Sequence, residues 1–319
     1  MWKKSSFLLT FFMSIFVCMQ VHAQIFPNST HYMINPQVKN PAFYGHEDGI
    51  TFGGNFRYQW AKLEGQPRTF NFFADANLPA AHGAVGLNVS ADMLGAYTIT
   101  TLNAGYNFIQ PIKNKIKICI GLNAGVVISQ LDESKLTTPE STDDDLNSLK
   151  QKSLRPNLTV GIALQHKFVD VGFAYSNLIN FNDKFKGQSG ELKTKYGNEF
   201  HAFVQGKLLF KDYIALRPSI SFYTDFKEFQ TDLSILAGYT KYGLIGINVR
   251  GFNKKTFESI SPVINITAVK NLNIVYSYDL NLNKLAKVNK GTHEITLKYT
   301  LPNSKIYKQP KIINNPRFL

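Results

Sequence analysis

The stretch Ile50–Trp60, "ITFGGNFRYQW", decides how the rest of the chain is read. Ile50, Phe52, Gly54, Phe56, Tyr58 and Trp60 fall on one face of an extended chain, and Thr51, Gly53, Asn55, Arg57 and Gln59 on the other. Side chains of a strand alternate between its two faces, so this pattern predicts a β-strand with one apolar and one polar side. Two later runs repeat it. Leu272, Ile274, Tyr276, Tyr278 and Leu280 alternate with Asn271, Asn273, Val275, Ser277 and Asp279. Ile295, Leu297, Tyr299 and Leu301 alternate with Glu294, Thr296, Lys298 and Thr300.

Segmented by this rule, the chain contains about fourteen candidate strands, near 49–60, 68–78, 82–92, 97–109, 115–129, 156–166, 168–178, 196–209, 212–223, 229–240, 243–252, 257–269, 271–281 and 291–301. No helix of convincing length stands among them. Connections after even-numbered strands are short: "PAA" at 79–81, "KD" at 211–212 and "KN" at 270–271. The two longest, 131–154 and 177–195, both follow odd-numbered strands. Short turns on one side and long loops on the other are the mark of an outer-membrane barrel. Strands of about ten residues, tilted, span a bilayer, and closure pairs every backbone group. No run after the N-terminal segment reaches the ~18 apolar residues of a membrane helix. Aromatics near strand ends (Tyr97, Phe108, Phe210, Tyr213, Tyr239 and Tyr242) suit interfacial girdles. The fold expected is all-β: a transmembrane antiparallel β-barrel in the bacterial outer membrane.

Residues 1–23 read as a cleaved signal peptide: Lys3 and Lys4, an apolar run Phe7–Val17, then Val21-His22-Ala23 before Gln24. Cys119 is then the single cysteine of the mature chain, so no intramolecular disulfide forms. The formal charge of +13 suits anionic envelope partners (lipopolysaccharide phosphates, anionic glycans or acidic protein faces) and not nucleic acid. Residues 24–48 precede the barrel, which occupies 49–301, and a basic tail follows at 302–319.

The 24–48 segment contains "HYMINPQVKNPAFYG", His31–Gly45, with Asn35-Pro36 and Asn40-Pro41 five residues apart. Proline lacks an N–H and disfavours the α region in the residue before it. An extended, kinked lead-in is therefore expected, at the periplasmic mouth or in the lumen. A barrel of this size has a lumen wide enough to need a plug, a pore role or a guest.

This stretch resembles the start of the PorP/SprF family of outer-membrane proteins, in Tyr32, Met33, Asn35, Pro36, Asn40, Pro41, Ala42 and Gly45. "FRYQWAKLEGQPRTFNF", Phe56–Phe72, is similar to that family's next block in Arg57, Gln59, Trp60, Gly65, Pro67 and Thr69. "HEITLKYTLP", His293–Pro302, is similar to its closing strand. Ala61-Lys62 and Gln66 depart from its pattern. The resemblance implies a barrel of the type IX secretion and gliding machinery, needed for secretion or surface display of a cargo such as a large adhesin. It also implies periplasmic ring components as partners, besides outer-membrane lipid. Tyr32, Asn35, Pro36, Asn40, Pro41, Gly45, Arg57, Gln59 and Trp60 are the candidate partner-contact residues. Arg57 and Trp60, as strong donors, are expected to hold the carbonyls of the lead-in.

No catalytic constellation stands out. There is no Gly-x-Ser-x-Gly elbow or His-Glu-x-x-His motif, and the histidines are scattered. "STDDD", Ser141–Asp145, lacks the glycine and distal glutamate of a calcium loop. No enzyme activity, metal or cofactor is expected. The alternative to a cargo-display barrel is a passive or substrate-specific porin.

Overall fold

The computed structural model describes residues 29–112, 116–132, 152–179, 182–186, 191–195, 197–251 and 257–302. The signal segment, the basic tail after Pro302, "STDDD" and most of the 131–154 loop lie outside them. In chain order the strands are β1 (Ile50–Tyr58), β2 (Arg68–Leu78), β3 (Gly83–Leu94), β4 (Tyr97–Ile112), β5 (Ile116–Leu131), β6 (Lys152–Gln165) and β7 (Val169–Ser176). A hairpin follows, β8 (Asn182–Lys186) and β9 (Glu191–Lys195). The wall resumes with β10 (Glu199–Gly206), β11 (Leu208–Phe210), β12 (Ile214–Thr224), β13 (Phe229–Tyr239), β14 (Gly243–Arg250), β15 (Ser259–Val269), β16 (Leu272–Asn281) and β17 (Thr292–Leu301).

β10 and β11 pair with β12 in one register and form a single wall strand broken at Lys207. The wall therefore has fourteen strands, each antiparallel to its sequence neighbour. β1 pairs with β17 along its whole length, from Ile50↔Leu301 to Tyr58↔His293, and closes the barrel. Closure leaves no sheet edge in the hydrocarbon, where each unpaired backbone group would cost several kcal/mol. The separate β8–β9 hairpin was read as loop from the sequence. Its five-residue arms, NDKFK and ELKTK, are too short and too mixed in polarity for the alternation rule to detect.

Burial runs opposite to a soluble protein. Phe52, Ile120, Ile162 and Ile245 are exposed on the outer wall, whereas Thr51, Asn55, Arg57, Asn107 and Asn123 are buried inside. Lipid solvates the apolar face, and the polar face is left to the lumen. The described connections on the side that carries both barrel termini are tight turns, which places that side in the periplasm. Cys119 points inward from β5 as a buried free thiol.

Candidate functional site: the lumen plug

The middle of the lumen is occupied by the chain's own residues 29–48. The extended conformation expected for this segment is not what it adopts. It folds through turns into two short 3-10 segments, Pro36–Val38 and Pro41–Phe43. Each begins with its proline at the first position, where a missing N–H costs nothing and the fixed φ is already suitable. Asn40 caps the second, its side chain accepting from Ala42 N–H at 2.9 Å. Asn35 makes no such cap and is buried.

Irregular backbone at membrane depth survives only where protein or water satisfies it. Here wall side chains do so. Asn107 Nδ2 donates to the carbonyls of Ala42 (3.0 Å) and Tyr44 (2.8 Å), and Gln205 to that of Met33 (3.1 Å). Asn88 donates to Val38 O (3.0 Å) and Lys298 to Ile34 O (3.2 Å). Asn40 returns the favour by donating to Phe173 O of β7 at 3.1 Å. The apolar side chains form a small core inside the barrel: Tyr32, Met33, Ile34, Phe43 and Tyr44, all buried, with Phe203 of β10 edge-on to Tyr32 and Phe43 at 6.0 and 5.6 Å.

Glycines on four wall strands make room for this packing. A Cβ at Gly86 would overlap the Tyr44 ring, and one at Gly121 the backbone of Pro41 and Ala42. At Gly161 it would meet the Asn40 side chain, and at Gly172 the Phe43 ring. Gly45 has a φ of +70°, and its N–H donates to Asp75 at 2.8 Å.

Charge fixes both ends of the plug. Near the cell-surface ends of β1, β13, β14, β16 and β17 lies a cluster of Arg57, Arg250, Asp232, Asp279 and Glu294. Arg57 bonds Glu294 and Asp279 at 2.7 Å each, and Arg250 bonds Asp232 at 2.9 Å. Thr30 is inserted between the two guanidiniums. Its hydroxyl accepts from Arg57 (3.2 Å) and Arg250 (3.3 Å) and donates to Asp279 (3.1 Å), while its N–H donates to Glu294 (2.9 Å). Ser29 also bonds Glu294. His31 Nδ1 lies 2.8 Å from Thr296 Oγ1, and burial pushes its imidazole below the usual histidine range. At the periplasmic end Glu47 pairs with Lys298 and accepts from Thr300 at 2.6 Å. The Lys298 ammonium holds the Glu47 carboxyl at about 2. His46 and Lys207 both reach Asp170, at 3.0 and 2.6 Å.

Of the residues singled out in the sequence, Tyr32, Asn35, Pro36, Asn40, Pro41, Gly45 and Arg57 meet in the lumen. Gln59 and Trp60 lie past the end of β1 on the cell-surface side. Gln59 N–H donates to Pro67 O at 3.0 Å. Trp60 does not continue the apolar face of the strand; it turns to a φ of +53° and donates its N–H to Thr292 Oγ1 at 3.1 Å. Thr30, Asp279, Glu294 and Arg250 were not singled out. For the wall residues the available signal was a charged residue on the lumen face near the cell-surface end of β1, β13, β14, β16 and β17; Thr30 carried none.

The Asn-Pro segment is folded into the barrel's own lumen, and Arg57 holds its start through the Thr30 hydroxyl, not through the lead-in carbonyls expected of Arg57 and Trp60. The family of type IX secretion system membrane proteins PorP/SprF matches residues 21–299. This chain belongs to that family. It is an outer-membrane β-barrel component of type IX secretion, and the PorP/SprF family is one of secretion-system membrane proteins, not of enzymes. No curated protein matches the chain. Among solved structures, the toluene transporter TbuX of Ralstonia pickettii is similar over 88% of this chain and 95% of its own, with 11% identity and a TM-score of 0.51. Omp33 of Acinetobacter baumannii is similar over 81% of this chain and 100% of its own, with 8% identity and a TM-score of 0.46. At these identities the likeness to TbuX shows the barrel fold alone.

Proposed function

We propose that this PorP/SprF barrel anchors, or assists the surface display of, a secreted cargo protein such as a large adhesin. The observation that carries the reading is the plug. A lumen closed across its middle by the chain itself, with the closing segment hydrogen-bonded along its length and ion-paired at both ends, is suited to holding a partner and not to conducting solutes. The loops on the cell-surface side, with Gln59 and Trp60 at the base of the first, would meet the cargo. The periplasmic rim, with the lead-in's exit at Glu47–Gly49, would meet ring components of the secretion machinery.

The test is deletion of the gene followed by quantitative mass spectrometry of surface and medium proteins. Selective loss of one or a few large secreted proteins from the surface, with other outer-membrane proteins unchanged, is the expected result. An unchanged surface proteome would overturn this reading in favour of a porin.

A further inference from the structure

Four of the described periplasmic turns carry lysine. On the cell-surface side two described connections mix signs, Lys62 with Glu64 and Lys227 with Asp225 and Glu228, while the β16–β17 connection carries Lys284, Lys287 and Lys290 without an acid. On the periplasmic side the lysines are spread over four turns. The β6–β7 turn carries Lys167, the β11–β12 turn Lys211, the β13–β14 turn Lys241 and the β15–β16 turn Lys270, all exposed. The connection from β4 to β5, residues 113–115, reads Lys-Asn-Lys in the sequence. Against these stands one turn acid, Asp212, beside Lys211. Asp48, at the lead-in's exit, lies apart near the β2–β3 side, within reach of Asn77.

Directly below these lysines the outer wall carries an aromatic belt of Phe168, Phe210, Tyr213, Tyr239 and Tyr242, each about half exposed or more. Tyr213 stacks on Tyr239 at 6.0 Å, and Tyr239 meets Tyr242 edge-on at 6.4 Å. The lysines reach over this belt. Lys167 Nζ lies 4.3 Å from the centre of the Phe168 ring, and Lys241 Nζ 5.4 Å from that of Tyr242. Aromatic belts sit at headgroup level, so ammonium groups resting on them stand at the height of lipid phosphates.

We propose that the periplasmic rim from β6 to β16 is a binding surface for anionic phospholipid headgroups of the inner leaflet, with Lys167, Lys211, Lys241 and Lys270 as phosphate ligands. Lipid fits this surface better than an acidic protein face because Lys167 and Lys241 lie against the lipid-facing rings of the outer wall. The surface collects phosphatidylglycerol-type lipid around the barrel.

The test compares the full chain with K167Q/K211Q/K241Q/K270Q in nanodiscs of phosphatidylethanolamine and phosphatidylglycerol. Co-purifying lipid is counted by native mass spectrometry, and a heat-modifiable band certifies the fold. A control variant, K227Q/K284Q/K287Q/K290Q, removes the same charge from exposed cell-surface positions. Phosphatidylglycerol enrichment should fall about fivefold or more in the rim variant, since one lysine at an anionic surface is worth roughly that factor. It should be unchanged in the control. Equal enrichment in wild type and rim variant overturns the proposal, as does an equal fall in both variants, which would make the effect one of net charge alone.

Discussion

Arg57 is held at 2% exposure between two carboxylates, and that environment sets what its loss would do. Removing one partner of a buried ion pair strands the other, at about 3–5 kcal/mol. Arg57→Ala leaves Glu294 and Asp279 facing each other across the top of the plug, so the unfolding free energy from urea titration of the folded band should fall by an amount of that order. Arg57→Lys keeps the charge but not the fork, and should fall in between. His31 gives the same region a pH dependence. Burial lowers its pKa, opposed by Glu294 and Asp279 and aided by Arg57. Between the lowered value and the usual 6.5, the seated plug binds fewer protons than a released one. Seating is therefore strongest above about pH 6.5 and weakens as pH falls below it. Protease cleavage within residues 29–35 should rise from pH 7 to pH 5, and His31→Gln should flatten that rise. Glu47 stays ionised to about pH 2, so the periplasmic end should remain protected over the same range.

Among the elements, the wall strands were legible and the plug's path was not, for one physical reason. Lipid outside and water inside impose period-two alternation, which is written locally in each strand. The β1 pattern predicted Thr51, Asn55 and Arg57 on one face, and all three point into the lumen. The course of the plug depends on partners far along the chain, such as Asn107 for Ala42 and Gln205 for Met33. The two prolines showed that the segment is neither strand nor long helix. They gave no hint that Pro36 and Pro41 would each open a 3-10 turn. The wall glycines were only half legible: alternation puts Gly121 on the lumen face and Gly54 on the lipid face, but it does not show that Gly121 lies against the plug backbone, while a Cβ at Gly54 would meet only Asn71 O at an ordinary 3.7 Å. That difference is testable. Gly121→Val should displace Pro41-Ala42 and expose residues 35–45 to protease with the barrel band intact. Gly54→Val should leave the plug protected.

For the whole molecule, fourteen strands fall between the eight that fill with side chains and the sixteen to eighteen that leave an aqueous channel. The plug occupies the middle of this lumen and leaves a polar chamber on each side. The cell-surface chamber is lined by Asn71, Ser90, Thr101 and Asn157, and the periplasmic one by Lys207, Arg217, Asn271 and Asn273. In a planar bilayer the full-length protein should show no steady open-channel current. Excision of residues 29–46 should join the two chambers and give a conductance well above background. A conducting full-length protein would show the plug to be permeable as it stands.

The cell-surface anchor of the plug is also the last joint of the barrel. Arg57 and Glu294 stand directly opposite each other where β1 meets β17, and both grip Thr30. These strands are more than two hundred residues apart in the chain, so their pairing carries a heavy loop-closure cost and belongs late in folding. The plug cannot lock before that joint closes, and once locked it staples the joint from within. Assembly thus has a built-in order: an unfinished barrel holds its lead-in loosely, and only a finished one becomes sealed.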